Sequence, residues 1–172
     1  MTVHEISDKI EGFIKSSMLS AGYSRKMLGH FNFHRQYIQA SVALQVGKRK
    51  NPAESIHHFN TIALPYILEQ ATRKLPAYMV CHEKLLAMKY KDEAGQSHLY
   101  DTLRCLLEHN QNIAHTANAL FIHRTTLLYR LDKIKAFLDS DLTDRDEILY
   151  LLLSFHLMDM ESENRGNTPS KN

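Results

Sequence analysis

Arg124, Thr126 and Arg130 stand close together in the string His123-Arg124-Thr125-Thr126-Leu127-Leu128-Tyr129-Arg130-Leu131, and their side chains suit the edges of base pairs. Arginine forks onto guanine O6 and N7, a threonine hydroxyl bonds a base edge or a phosphate, and Leu128 or a threonine methyl can touch a thymine methyl. Leu127, Leu131, Ile134 and Leu138 recur at three-to-four spacing, which on a helix puts them in one apolar stripe turned to a core. His123, Arg124, Thr125, Thr126, Leu128, Tyr129 and Arg130 are then left on the outward side where a major groove can receive them, with Lys133 and Lys135 further along. Between His123 and Lys135 four cations face the single Asp132. Any solvated helix face can show so modest an excess, and residue types alone leave DNA binding and a plain polar face about equally supported.

Such a helix needs a partner to hold it. The preceding residues, Asn112-Ile113-Ala114-His115-Thr116-Ala117-Asn118-Ala119-Leu120-Phe121-Ile122, read as a short helix and a tight turn. Asn112 is an N-cap that accepts a backbone N–H, and Ala114, Ala117 and Ala119 keep the helix thin enough for a close crossing, with Ala117 at the crossing point. Phe121 stands where such a turn often has glycine. A positive φ is costly for a bulky side chain, so the residue predicts a turn of different geometry. Ile148 through Met158 is apolar enough to cover the back of the motif. Asp139, Asp141, Asp144, Asp146 and Glu147 near its start suit the positive end of that helix and are expected to face away from phosphates.

The whole chain sets the bounds. Its 172 residues, 44% hydrophobic and 23% charged, suffice for one good core or two small ones. A net charge of +2 announces no nucleic acid by itself, but the balance shifts along the chain. Residues 1–97 carry 13 Lys and Arg against 8 Asp and Glu, residues 98–138 carry 5 against 3, and residues 139–172 carry 3 against 8. Cys81 and Cys105 lie without CxxC or Cys/His ligand spacing, as for two buried thiols in a reducing compartment. The first residues include His4, Glu5 and Asp8 and no apolar leader core, which points to the cytoplasm. The longest apolar run, Ile148 to Met158, falls short of the roughly 20 residues a membrane span needs.

Eleven histidines invite a search for metal or catalytic chemistry. His82-Glu83-Lys84-Leu85-Leu86 has Leu where a zinc-binding HExxH string needs its second His, and no P-loop or nucleophile elbow occurs. His30 and His34 share an i, i+4 face and His57 and His58 are adjacent, but neither pair has a clustered third ligand. The expectation is of no catalytic residue, no metal and no cofactor.

With six Gly and four Pro and helical spacing in most segments, the fold is predicted to be mainly α. Helices are expected over residues 6–18, 33–46, 61–75 and 76–90, then over 98–109, 112–120, 124–138 and 145–161. Short extended pieces are expected near Tyr23 and over 56–60. Gly47 through Pro52 is read as a helix stop, Pro65 as a start or kink, and the polar residues 91–97 as a linker.

At the residues already quoted, together with Tyr100-Asp101-Thr102-Leu103-Arg104-Cys105-Leu106-Leu107-Glu108-His109-Asn110, the sequence resembles the PucR family of bacterial regulators, including the sugar-diacid regulators. The His-Arg-x-Thr-Leu-x-Tyr-Arg-Leu string is the specific part. The family usually has Asn at the position of Thr125 and Arg at that of Leu128, so two contacts are altered here, while Phe121 matches it. The resemblance implies a Fis-like helix-turn-helix over 98–163 that binds double-stranded DNA. It places Asn112, His123, Arg124, Thr126, Leu128, Tyr129 and Arg130 near DNA, beside Thr125 and Lys133 from the outward face. A weaker likeness over Ala21 to Ser24, Tyr37 to Pro52 and Ile56 to Leu68 implies that 1–75 is the closing half of a central, degenerate cyclase-like domain. The fold expected is therefore a truncated, mostly helical cyclase-like remnant with one or two short strands, a connecting helix and linker over 76–97, the helix-turn-helix bundle, and a disordered tail over 164–172. It also implies that the chain begins inside a larger protein whose missing part binds a small effector. A homodimer is expected, because paired modules on a palindrome gain affinity. The competing reading is a non-catalytic interaction module in which Met, Tyr and Leu side chains of residues 60–90 form a dimer surface and the helix-turn-helix is scaffold.

Overall fold

The computed structural model describes residues 3–26, 32–95 and 97–166, and the chain divides into two compact units, residues 1–70 and 71–172. Among the described residues there are nine helices and two short strands, so the fold is mainly α, as the periodicity predicts.

The first unit runs α1 (Val3–Ser16), β1 (Ala21–Tyr23), α2 (Phe33–Lys50), β2 (Ile56–His58) and α3 (Phe59–Ala71). The strands pair in parallel, with Ala21 opposite Ile56, Gly22 opposite His57 and Tyr23 opposite His58. Parallel neighbours need a crossover, and α2 supplies it. Two glycines let α2 lie directly on the strands. A Cβ on Gly22 would stand 2.0 Å from the Ala40 carbonyl oxygen, and one on Gly47 would stand 2.3 Å from the His57 ring. This is why α2 does not stop at Gly47 as the sequence suggested. Gly47 serves close packing, and the helix continues to Lys50 before Asn51 closes it onto the Gly47 carbonyl at 2.8 Å. Ala43, Val46 and Ile62 form the core, with Val42, Phe59 and Tyr66 against it. α3 begins at Phe59, earlier than expected, and carries Pro65 in its interior. Thr61, whose carbonyl would otherwise accept the bond that Pro65 cannot give, donates its hydroxyl to the His58 carbonyl at 2.8 Å.

The second unit runs α4 (Ala77–Val80), α5 (Glu83–Gly95), α6 (Leu99–Glu108), α7 (Ile113–Ala119), α8 (Arg124–Leu138) and α9 (Arg145–Gly166). Leu85, Leu103, Leu127, Ile134, Leu142 and Leu151 are fully buried at its centre. The single helix predicted from Pro76 to Tyr90 is broken at Cys81 and His82 by a buried polar residue. Ser154, wholly inside, accepts the His82 backbone N–H at 2.8 Å and donates to the Tyr150 carbonyl at 2.7 Å. A buried hydroxyl must find partners, and here it takes a backbone N–H that a continuous helix would have used itself. Residues 91–97, read as linker, largely continue α5 instead. Asp92 accepts the Tyr100 backbone N–H at 2.7 Å and the Ser97 hydroxyl, which ties α5 to the start of α6. Leu85 and Met88 make α5 part of the core of this unit.

Cys81 is buried and Cys105 half-buried. Burial pushes the Cys81 thiol up to about 11, so it is an unreactive packing group at neutral pH. Arg104 of α6 grips Asp159 of α9 through two nitrogens at 2.8 and 2.6 Å and also bonds Glu108 at 2.9 Å, which holds the guanidinium charged. The backbone of α9 continues past Asn164 to Gly166, and the rest of the expected tail lies outside the described residues. No helix among them is long and apolar enough to cross a membrane.

Candidate nucleic-acid interface

α7 and α8 pack on each other, and Ala117 of the first is buried and Leu127 of the second fully buried. Asn112 caps α7: its side-chain oxygen accepts the His115 N–H at 3.1 Å, and its carbonyl accepts the hydroxyl of the buried Thr116 at 2.8 Å. The turn that follows overrides the expectation drawn from Phe121. Its φ is 53°, and the N–H groups of Phe121 and Ile122 close back on the carbonyls of Asn118 and Ala117 at 3.1 and 3.0 Å. That is the hydrogen-bond pattern of a glycine-ended helix, built with phenylalanine in the left-handed position. The ring, 96% exposed, has no packing to offset a backbone cost of roughly 1–2 kcal/mol.

His123 begins α8 as its N-cap. Its Nδ1 accepts the Thr125 N–H at 3.4 Å and lies 2.9 Å from the Thr125 hydroxyl. The backbone contact needs Nδ1 as acceptor, so in the neutral ring the proton that accompanies this cap sits on Nε2. The Thr125 hydroxyl is committed to this cap, which leaves its methyl and an oxygen lone pair for a ligand. Arg124, Thr126 and Lys133 are exposed, as are Leu128 at 42% and Tyr129 at 60%. Lys133 Nζ lies 4.4 Å from the centre of the Tyr129 ring, within the range of a cation–π contact.

Arg130 departs from the outward placement. It is half-buried, and its Nη1 donates to Thr102 Oγ1 at 3.1 Å. Thr102 is wholly buried on α6 and donates in turn to the His98 carbonyl at 2.5 Å. Arg130 lies three residues after Leu127 and four before Ile134, at the edge of the buried stripe, which brings its side chain within reach of α6. It links the exposed helix to its support. The far end of α8 is tied as well: Lys84 of α5 donates to the Leu138 carbonyl at 2.6 Å and lies 3.9 Å from Asp139, a cation at the negative end of a helix.

Sequence reasoning missed Thr102 and Lys84 as supports of α8. Thr102 was detectable, since a threonine inside the apolar stripe Leu99, Leu103, Leu106 has to find a hydrogen-bond partner. No local signal marks Lys84, because its partner is a backbone carbonyl 54 residues away. Of the acids past α8, Asp144 caps α9 by accepting the N–H groups of Asp146 and Glu147 at 2.7 and 3.2 Å. Asp141 accepts both the N–H and the hydroxyl of Thr143, which holds its carboxyl below the usual range.

Residues 99–157, from α6 into α9, match the PucR C-terminal helix-turn-helix domain. Over these residues the chain is similar to PucR-family regulators. The carbohydrate diacid regulator of Escherichia coli K12 is 32% identical over 123 residues, which covers 72% of this chain and 31% of that protein. The purine catabolism regulatory protein of Bacillus subtilis 168 is 30% identical over 124 residues, 70% of this chain and 22% of that protein. The proline-responsive transcriptional activator PutR of the same organism is 26% identical over 168 residues, 84% of this chain and 41% of that protein. The chain thus spans less than half the length of each of these proteins. No solved structure matches it.

Proposed function

We propose that this chain is a sequence-specific DNA-binding transcriptional regulator of the PucR family, which places α8 in the major groove of double-stranded DNA. One observation carries the reading: Arg124, Thr125, Thr126, Leu128 and Tyr129 are all exposed on the first turns of α8, the part of a recognition helix that reaches base edges. His123 adds an Nε2–H, Lys133 a cation further along, and Asn112 a side-chain amide beside the start of α7. In this reading Arg124 and Thr126 make the principal polar contacts and Leu128 an apolar one. Arg130 acts through Thr102 as a positioning residue. The chain acts in the cytoplasm without catalysis and pairs as a homodimer. Residues 1–75 belong to a cyclase-like central domain, and a small effector is bound by a part of the protein outside this chain.

Fluorescence anisotropy with a mixed-sequence duplex across a salt series tests this. Binding at low salt that weakens steeply as salt rises, and that is lost in Arg124→Ala/Thr126→Ala, is the expected result. A folded wild type that binds no duplex even at low salt overturns it.

The interaction-module reading is favoured by a different observation. Tyr78, Met79 and Tyr90 of the second unit are each more than half exposed, within the stretch 60–90 that the sequence offered as a dimer surface. A dimer that persists in Arg124→Ala/Thr126→Ala while wild type fails to bind DNA would establish it, and a monomer mass by light scattering at micromolar concentration would remove both it and the homodimer.

A further inference from the structure

One exposed residue of α8 has a charge opposed to DNA. Asp132 follows Thr125 by seven residues and Tyr129 by three, on the side of the helix away from Leu127, Leu131 and Ile134. It lies about 4.5 Å beyond Tyr129 along the axis, roughly one base-pair step. Glu108 and Asp159 are held by Arg104, Asp139 lies near Lys84, and Asp144 is a helix cap. Asp132 has no such partner among the described residues, and the adjacent Lys133 is turned onto the Tyr129 ring. The carboxylate therefore reaches any bound ligand with all its acceptor positions open.

A carboxylate only accepts hydrogen bonds, and in the major groove only the exocyclic amines, cytosine N4 and adenine N6, donate them. Guanine N7 and O6 and thymine O4 present lone pairs, and phosphates repel the charge outright. We propose that Asp132 is a specificity-determining residue, which admits cytosine or adenine at one position of the bound strand, rejects guanine and thymine there, and weakens binding to unrelated sequences. Specificity is a difference of affinities, and a repulsive group sharpens it by penalising wrong partners more than right ones. This inference rests on the DNA-binding reading given above.

The test compares wild type with Asp132→Ala and Asp146→Ala. The two variants change net charge equally, but Asp146 is an exposed residue at the start of α9. Each protein is used to select from a pool of randomised duplexes and is titrated with a mixed-sequence duplex at low salt. Wild type is expected to enrich cytosine or adenine at one position. Asp132→Ala is expected to lose that enrichment and to bind the mixed-sequence duplex about three- to tenfold tighter, and Asp146→Ala to behave as wild type. Indistinguishable behaviour of the two variants, or a wild-type pool without such a position, overturns the role of Asp132 while leaving DNA binding intact. Failure of wild type to bind any duplex overturns both, and it is recognised because the Arg124→Ala/Thr126→Ala comparison then shows no loss.

Discussion

In the first unit α1 buries Ile14 but leaves Ile6, Ile10 and Phe13 between 40 and 63% exposed, whereas in the second α8 buries each of Leu127, Leu131, Ile134 and Leu138 to 6% or less. Both stripes have the same three-to-four spacing and are equally visible in the sequence. The difference is in what meets them. Around α8 stand α5, α6 and α7, tied by Arg130 to Thr102 and by Lys84 to Leu138. A hydrophobic stripe shows that a face is apolar, and only the packing shows whether that face is covered.

The largest effect expected separates these stripes by truncation. Leu127→Ala should cost about 2–5 kcal/mol, lost transfer energy plus a cavity, and Ile10→Ala under about 0.5 kcal/mol, both read by urea unfolding. Equal losses would mean that α1 is covered in solution. Next comes the close helix packing in the first unit. Gly22→Ala should destabilise by about 1–3 kcal/mol, because its methyl has backbone in its way. Gly12→Ala, with nothing within 4 Å, should stabilise by about 0.5–1 kcal/mol through helix propensity. The thermal midpoint reports both, and effects of the same sign would mean that α2 stands off β1.

A third variant probes the support of α8. Thr102→Val keeps the shape but leaves Arg130 without its acceptor, and should cost about 1–2 kcal/mol in denaturant unfolding. No change would mean that Arg130 points outward after all. The smallest effect is one of pH. Burial lowers the pKa of His82 from its usual value near 6.5, so protonation favours the unfolded chain. The stability associated with the neutral ring is fully present above about pH 6.5 and is lost as pH falls toward the lowered folded value. The unfolding midpoint of the second unit should therefore drop on acidification below pH 6.5, with a shallower drop in His82→Gln.

The second unit was the more legible in sequence because its signals are local. Asn112, the spacing from Ala117 to Leu127 and the Leu127 stripe fix α7, the turn and α8 within 20 residues or so. Three of the misreadings share a cause, a partner outside the local pattern. Gly47 looked like a helix stop until His57 is seen against it, Cys81 and His82 break a helix because of Ser154, and Arg130 looked outward until Thr102 takes it up. Phe121 is the opposite case, in which local cost was read correctly and the surrounding hydrogen bonds override it.

α8 is fastened at both ends, by the His123 and Thr125 cap at its start and by Lys84 at its finish. A segment that folds as it binds gives up conformational entropy at that moment and shows a large negative heat-capacity change. A helix already tied down gives up little. Calorimetry of complex formation should accordingly register a heat-capacity change set by the contact surface alone, with nothing added for helix formation.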